Sequence, residues 1–205
     1  MTASLASADQ TYMTVAFAVA TANCPFMQSI NTMYVLKKWG ADVEFKVYAE
    51  ITIEEKSMMG CGLTANKLAY YKELYRNRYE IHAKYLECYG MDNGHLVFWE
   101  YCMDCLQGMA FIKAAFATQM LWGASDESGI FCVDVHNANR LGIKLPTGAK
   151  KSKNKRAQYL NICVLSGWTS SFAWQSWCDF LANKYPGQFT DGMQVSRMHS
   201  QAVIL

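Results

Sequence analysis

Six apolar residues at every second position, Val43, Phe45, Val47, Ala49, Ile51 and Ile53, form the most restrictive pattern in the chain. A period of two places one set of side chains on one face of an extended backbone, so residues 43–53 predict a half-buried strand and, with it, a sheet. Other runs fit that expectation. Residues 4–8 are short and rich in small side chains, Asp9-Gln10-Thr11 interrupts them, and residues 12–20 carry the Val, Phe and Tyr that suit a pleated surface. Residues 95–99, ending at Glu100, and residues 129–135, with Ile130, Phe131, Val133 and Val135, complete the set of strands.

The period changes elsewhere. Over residues 66–89, Leu68, Tyr71, Leu74, Tyr75, Arg78, Ile81 and Tyr85 recur at spacings of three and four with charges between them, which predicts one amphipathic helix. Residues 108–121 read as a buried helix almost free of charge, and residues 155–165 and 172–184 as two more. Strands come first as a meander and then alternate with helices. That order predicts an α/β three-layer domain in which helices flank a mixed five-stranded sheet. No repeat or linker divides the chain, so one domain is expected over residues 1–186, with an insert at about 23–42 and a motif-free tail at 187–205.

Composition narrows the class. With 52% hydrophobic and 18% charged residues the chain is too apolar for disorder. Its most apolar early run, residues 12–22, falls short of the ~20 residues that span a bilayer, and no Lys or Arg precedes Lys37, as the charged start of a signal peptide would require. A soluble, intracellular protein is expected. Most of the eight cysteines sit in apolar runs, where a reduced thiol behaves as a small hydrophobe. Cys102 and Cys105 have zinc-like spacing but lack a second pair. Net charge is only +2, yet Lys144, Lys150, Lys151, Lys153, Lys155 and Arg156 crowd one short segment with no acid among them. Such a segment either neutralises phosphates or is a solvated loop.

Three carboxylates stand where a sheet and a flanking helix would gather them: Asp9 and Glu100 at strand ends, and Asp179 within the last helix. Hard oxygen ligands of this kind suit Mg²⁺ or Mn²⁺, and two such ions ~4 Å apart would activate water and stabilise the leaving oxygen of a phosphodiester. Each residue also has a plain reading, as a turn former, a strand-end surface residue and a solvent-facing helix residue.

The stretch from Leu5 through Asp9 into Val15–Val19 resembles the opening motif of RuvC-like Holliday-junction resolvases, in the RNase H-like superfamily. Leu96-Val97-Phe98-Trp99-Glu100 followed by Gln107-Gly108 is similar to the family's second motif. Val133-Asp134-Val135, Arg140-Leu141-Gly142-Ile143 and Gly148-Ala149-Lys150-Lys151 resemble its fifth strand and basic loop, and Asp179-Phe180-Leu181-Ala182 its last helix. The resemblance implies a metal-dependent endonuclease that cuts branched DNA as a homodimer, of the kind phages carry. Asp9, Glu100 and Asp179 would be its catalytic metal ligands, holding two Mg²⁺ or Mn²⁺ ions. Lys150, Lys151, Lys153, Lys155 and Arg156 would grip DNA. One departure is Ser176, which stands where the family carries a further ligand. Asp104, Asp134 and His136 are the replacements on offer, each with a structural or DNA-contact reading beside it. Tyr70, Tyr71 and Tyr75 would suit a dimer face or the core, and Phe26 or Trp39 would stack on unpaired bases or pack inside. Two other functions stay open: a binding module on the same fold with a decayed site, and a nuclease for RNA–DNA hybrids or flaps.

Overall fold

The computed structural model describes residues 5–123, 129–145 and 153–203. Among them there are eleven α-helices and three short 3-10 turns, and no sheet; a single isolated bridge pairs Pro186 with Phe189. The α/β three-layer expectation with its mixed five-stranded sheet is therefore corrected: the described chain is all-helical. It divides into two compact units, Met1–Glu87 with His199–Leu205, and Cys88–Met198.

In the first unit, the expected turn at 9–11 and the expected strand at 12–20 form one helix, α1 (Ala8–Ala20). Ser7 caps it: its side chain accepts from the Gln10 backbone N–H, while the Gln10 side chain accepts from the Ser7 N–H. This reciprocal box satisfies two amides that a helix start otherwise orphans. Every residue from Thr11 to Ala20 is buried. Such a run has no polar side, and so no periodicity to separate a buried strand from a buried helix. Thr11 and Thr14 turn their hydroxyls back to the carbonyls of Ser7 and Gln10, the usual refuge of a buried threonine in a helix.

The expected insert is α2 (Phe26–Trp39), which packs on α1 and on α3 (Ile53–Met59). The alternating segment is no strand. It forms 3-10 turns at Gly40–Phe45 and Tyr48–Glu50, and of its six apolar residues Phe45 and Ile53 are 79% and 88% exposed while Val43 and Ile51 are buried. The single long helix is two, α4 (Ala65–Arg76) and α5 (Arg78–Tyr89), broken at Asn77. Arg78 covers the break by donating from Nη1 to the Tyr75 carbonyl (2.8 Å). Lys67 on α4 donates to the carbonyls of Ala20, Ala22 and Cys61, placing a cation at the C-terminal end of α1.

The second unit begins with α6 (Gly94–Cys105) and α7 (Phe111–Leu121), packed on each other across a turn in which Gly108 adopts φ 76°. Residues 95–99 belong to α6, whose buried Phe98, Trp99, Cys102 and Met103 follow the three-to-four spacing of one helix face. A Cβ on Gly94 would collide with the Cys88 carbonyl, so the entry into α6 requires glycine. After α8 (Val135–Leu141) come α9 (Lys153–Leu165), α10 (Ser170–Lys184) and α11 (Gly192–Val203), the last formed from the motif-free tail, with its residues from His199 onward belonging to the first unit.

The remaining expected strand, residues 129–135, forms no strand bridge among the described residues before α8 begins. Ile130, Phe131, Cys132 and Val133 are buried, and side chains replace the missing ladder. Cys132 N–H donates to Gln119 Oε1 (3.0 Å) and Val133 N–H to the Tyr159 hydroxyl (3.0 Å). That hydroxyl donates on to the Phe131 carbonyl, and Asn137 Nδ2 donates to the Cys132 carbonyl. Buried backbone groups must be paired, and here four polar contacts do what a neighbouring strand would have done. Tyr159 packs against both Trp99 and Phe111, with ring centres at 5.7 and 6.0 Å, and those two rings also meet at 6.5 Å.

Candidate nucleic-acid interface

The three expected metal ligands fall on helices, and two of them, Asp9 and Asp179, have other partners. Asp9 lies in the first turn of α1 in the first unit, 60% exposed, 3.6 Å from Arg78 Nε. A carboxylate there complements the positive end of the helix dipole. Glu100 is on the exposed face of α6, one turn before Asp104. Asp179 is exposed on α10, accepts from Gln175 Nε2 (2.7 Å), and lies against Gly192 at the start of α11, where a Cβ would collide with it. Among the described residues no group of three or more His, Cys, Asp or Glu could hold a metal ion. The sheet on which the nuclease reading depended is absent, so that function is corrected along with the fold.

Ser176 has a different role from the one its position suggested. It is 3% exposed, donates to Asn137 Oδ1 (3.1 Å) and accepts from Arg140 Nη1 (2.8 Å). Asn137 in turn donates to the Cys132 and Ala173 carbonyls, and its N–H is capped by Asp134 Oδ1 (2.8 Å). A polar thread thus runs from the extended segment through α8 into α10. Burial pushes the Asp134 carboxyl above its ordinary value, against the pull of the Asn137 N–H. The His136 ring stacks on Phe180 at 4.0 Å, so α8 is fastened to α10 at both ends.

Lys144 and Lys153 are exposed and Lys155 is half-buried, while Lys150 and Lys151 lie outside the described residues. Arg156 is committed elsewhere: its guanidinium makes a two-point ion pair with Asp104 on α6, one contact at 3.1 Å, with only 13% of its side chain exposed. Asp104, with Glu100 behind it, holds that guanidinium charged. Arg156 therefore ties α9 to α6.

Two features escaped the sequence reading. The first was open to inspection: residues 135–178 contain seven Lys and Arg and no Asp or Glu, a stretch of +7 against −5 for the remainder of a chain that totals +2. The second needs the fold. Arg140 lies with its guanidinium carbon 5.7 Å from the ring centres of both Trp168 and Phe172, which meet edge to face at 4.9 Å. Phe172 is 48% exposed. Phe26 and Trp39, read as base-stacking or core residues, are core residues at 3% and 4% exposure. Tyr71 is likewise buried, its hydroxyl donating to the Gly62 carbonyl.

No helix among the described residues is long and apolar enough to cross a membrane. In comparisons with family models, with curated proteins and with solved structures, nothing matches this chain.

Proposed function

We propose that this protein binds nucleic acid along its phosphate backbone, through the basic stretch 135–178 of the second unit. The observation that carries the reading is the segregation of charge: seven cations and no carboxylate over α8, α9, the segment joining them and half of α10. Binding to a polyanion needs that local density and does not need a basic protein as a whole. With Arg156 paired to Asp104, the contacts fall to Lys144, Lys150, Lys151, Lys153 and Lys155, with Arg140 beside them. Branched DNA is the substrate shape carried over from the sequence reading. The two-copy assembly rested on family resemblance alone and is not carried forward.

The test is fluorescence anisotropy with a labelled duplex, a single strand and a four-way junction over a range of salt. If the five lysines engage, the logarithm of the binding constant for duplex falls with the logarithm of salt at a slope of about −4. The double variant Lys153→Glu/Lys155→Glu lowers that slope by about two and weakens all three complexes together, because phosphate contacts carry no sequence or shape information. Binding that is absent, or insensitive to salt, refutes the reading. Tighter binding to the junction than to its component duplexes supports the branched substrate.

A further inference from the structure

The ring pair Trp168–Phe172 sits where the basic stretch and an exposed apolar surface meet. Trp168 is anchored from below, stacked on buried Phe131 at 6.4 Å, and its N–H donates to Ser166 Oγ in the turn that leaves α9. Phe172, in the first turn of α10, is half exposed. Just before that turn, at the end of α9, Val164 and Leu165 are 68% and 84% exposed. Arg140 lies against both rings and is held there by Ser176, itself buried. Two residues after Arg140, Gly142 closes α8 at φ 66°, and Lys144 follows, exposed.

The chemistry of this surface is specific. A cation over aromatic rings, beside open apolar side chains, suits a flat aromatic group that carries an anion on a short tether. An unpaired nucleotide is such a group: its base stacks on an aromatic ring whatever its sequence, and its phosphate meets Arg140 or Lys144. An apolar protein partner would fit Val164 and Leu165 but would leave the cations without a counterpart. A paired base is already stacked within its duplex and offers no free face. The platform is also ordered in advance, by Phe131 beneath Trp168 and Ser176 behind Arg140, so little side-chain freedom is lost on binding.

We infer that the Trp168–Phe172 pair with Arg140 is a stacking site for an unpaired base, so that the preferred ligand is single-stranded nucleic acid or the unpaired part of a branched one. This rests on the phosphate-backbone reading above and names the substrate class of that same surface.

The experiment compares a labelled oligo(dT) single strand, an abasic strand of equal length and a matched duplex, each over a range of salt. The proteins are the wild type, Phe172→Ala, Phe172→Leu and Phe172→Tyr. The wild type is expected to favour oligo(dT) over the abasic strand by about 5- to 100-fold, the worth of one stacked base. Phe172→Ala and Phe172→Leu collapse that ratio towards one, and Phe172→Tyr keeps it; the leucine variant fills the site without a ring and guards against a packing artefact. Salt-dependent binding with no preference for oligo(dT), or a preference that survives in the leucine variant, overturns the stacking site and leaves the phosphate reading standing. Failure of the wild type to bind any of the three overturns both.

Discussion

His199 offers a sharp test of how the first unit is held together. It lies on the last turns of α11, 4% exposed, with its ring 4.6 Å from that of Phe17 in the middle of α1. Burial pushes its pKa down from 6.5 to about 3, because the charged imidazolium has no water around it there. The native state then keeps His199 neutral at a pH where the unfolded chain takes up a proton. Below pH 6.5 the unfolded state binds the extra proton, so stability falls as the pH is lowered, and the loss continues until the native side chain titrates near pH 3. The slope is about 1.4 kcal/mol per pH unit, so a shift from about pH 7.5 to about pH 5 removes about 2 kcal/mol. Against a typical domain stability of about 5–15 kcal/mol that is a large fraction.

The assay is amide hydrogen exchange of α1, whose residues from Thr11 to Ala20 are all buried, corrected for the intrinsic pH dependence of exchange. Reading α1 isolates the first unit from His95 in the second, which burial also holds below its ordinary value. Glu55, whose carboxyl is lowered mainly by the bond from Trp39 Nε1, destabilises the first unit only as the pH falls through the carboxylate range, below this window. His199→Gln and His199→Phe should both flatten the pH dependence by about 2 kcal/mol, whatever each does to stability at neutral pH. If wild type and both variants share one slope, His199 is not buried as a neutral ring and its packing against Phe17 is wrong.

Four further outcomes follow from the second unit. Tyr159→Phe strips partners from the Val133 N–H and the Phe131 carbonyl and should cost about 2–3 kcal/mol, read from urea unfolding; a loss below about 0.5 kcal/mol would mean that the extended segment is otherwise satisfied. Asp134→Asn keeps a good helix cap and removes a carboxylate that burial penalises, so the melting temperature should rise at neutral pH, with the gain shrinking as the pH falls through the carboxylate range. Asp104→Asn should lower stability by about 1–2 kcal/mol and raise affinity for duplex, because it releases Arg156 to the basic surface; melts and anisotropy on one preparation read both. Gly94→Ala forces a Cβ onto the Cys88 carbonyl and should destabilise the α6 entry by more than about 1 kcal/mol in a urea melt.

Most of the helices that declared themselves in the sequence have a polar face. Residues 66–89 showed their spacing, and only the break at Asn77 was hidden, since asparagine neither stops a helix as proline does nor frees the backbone as glycine does. Residues 108–121, 155–165 and 172–184 correspond to α7, α9 and α10 within a few positions. The helix α1, which read as a strand, fails for one reason. Residues 11–20 are buried all round, and the Val, Phe and Tyr that favour strands are equally at home on a helix with no solvent side. In 43–53 the alternation was real but did not report burial, since Phe45 and Ile53 face solvent. Once those runs were read as strands, carboxylates at their ends looked like ligands, and the resemblance to a sheet-based nuclease inherited the error.

The basic stretch of the proposed interface was legible in a different way, because charge segregation does not depend on secondary structure. The absence of any acid from residues 135–178 holds whether 129–135 is a strand or an irregular segment. What the sequence could not reveal is which cations are spent. Arg156 and Arg140 look equivalent in a list of residues, yet one is closed into an ion pair with Asp104 and the other is laid over two rings. The difference arises from the irregular segment before α8. Because residues 130–133 lack a neighbouring strand, Asn137 and Tyr159 must turn inward to satisfy them. Asn137 then draws in Ser176, and Ser176 fixes Arg140 against Trp168 and Phe172. The same irregular segment that defeats a sheet thus orders the cation and rings proposed to receive an unpaired base. Its weakest link should matter to binding as well as to stability: Ser176→Ala leaves the rings in place but frees Arg140, and should erode the preference for oligo(dT) over an abasic strand while the salt slope set by the lysines persists.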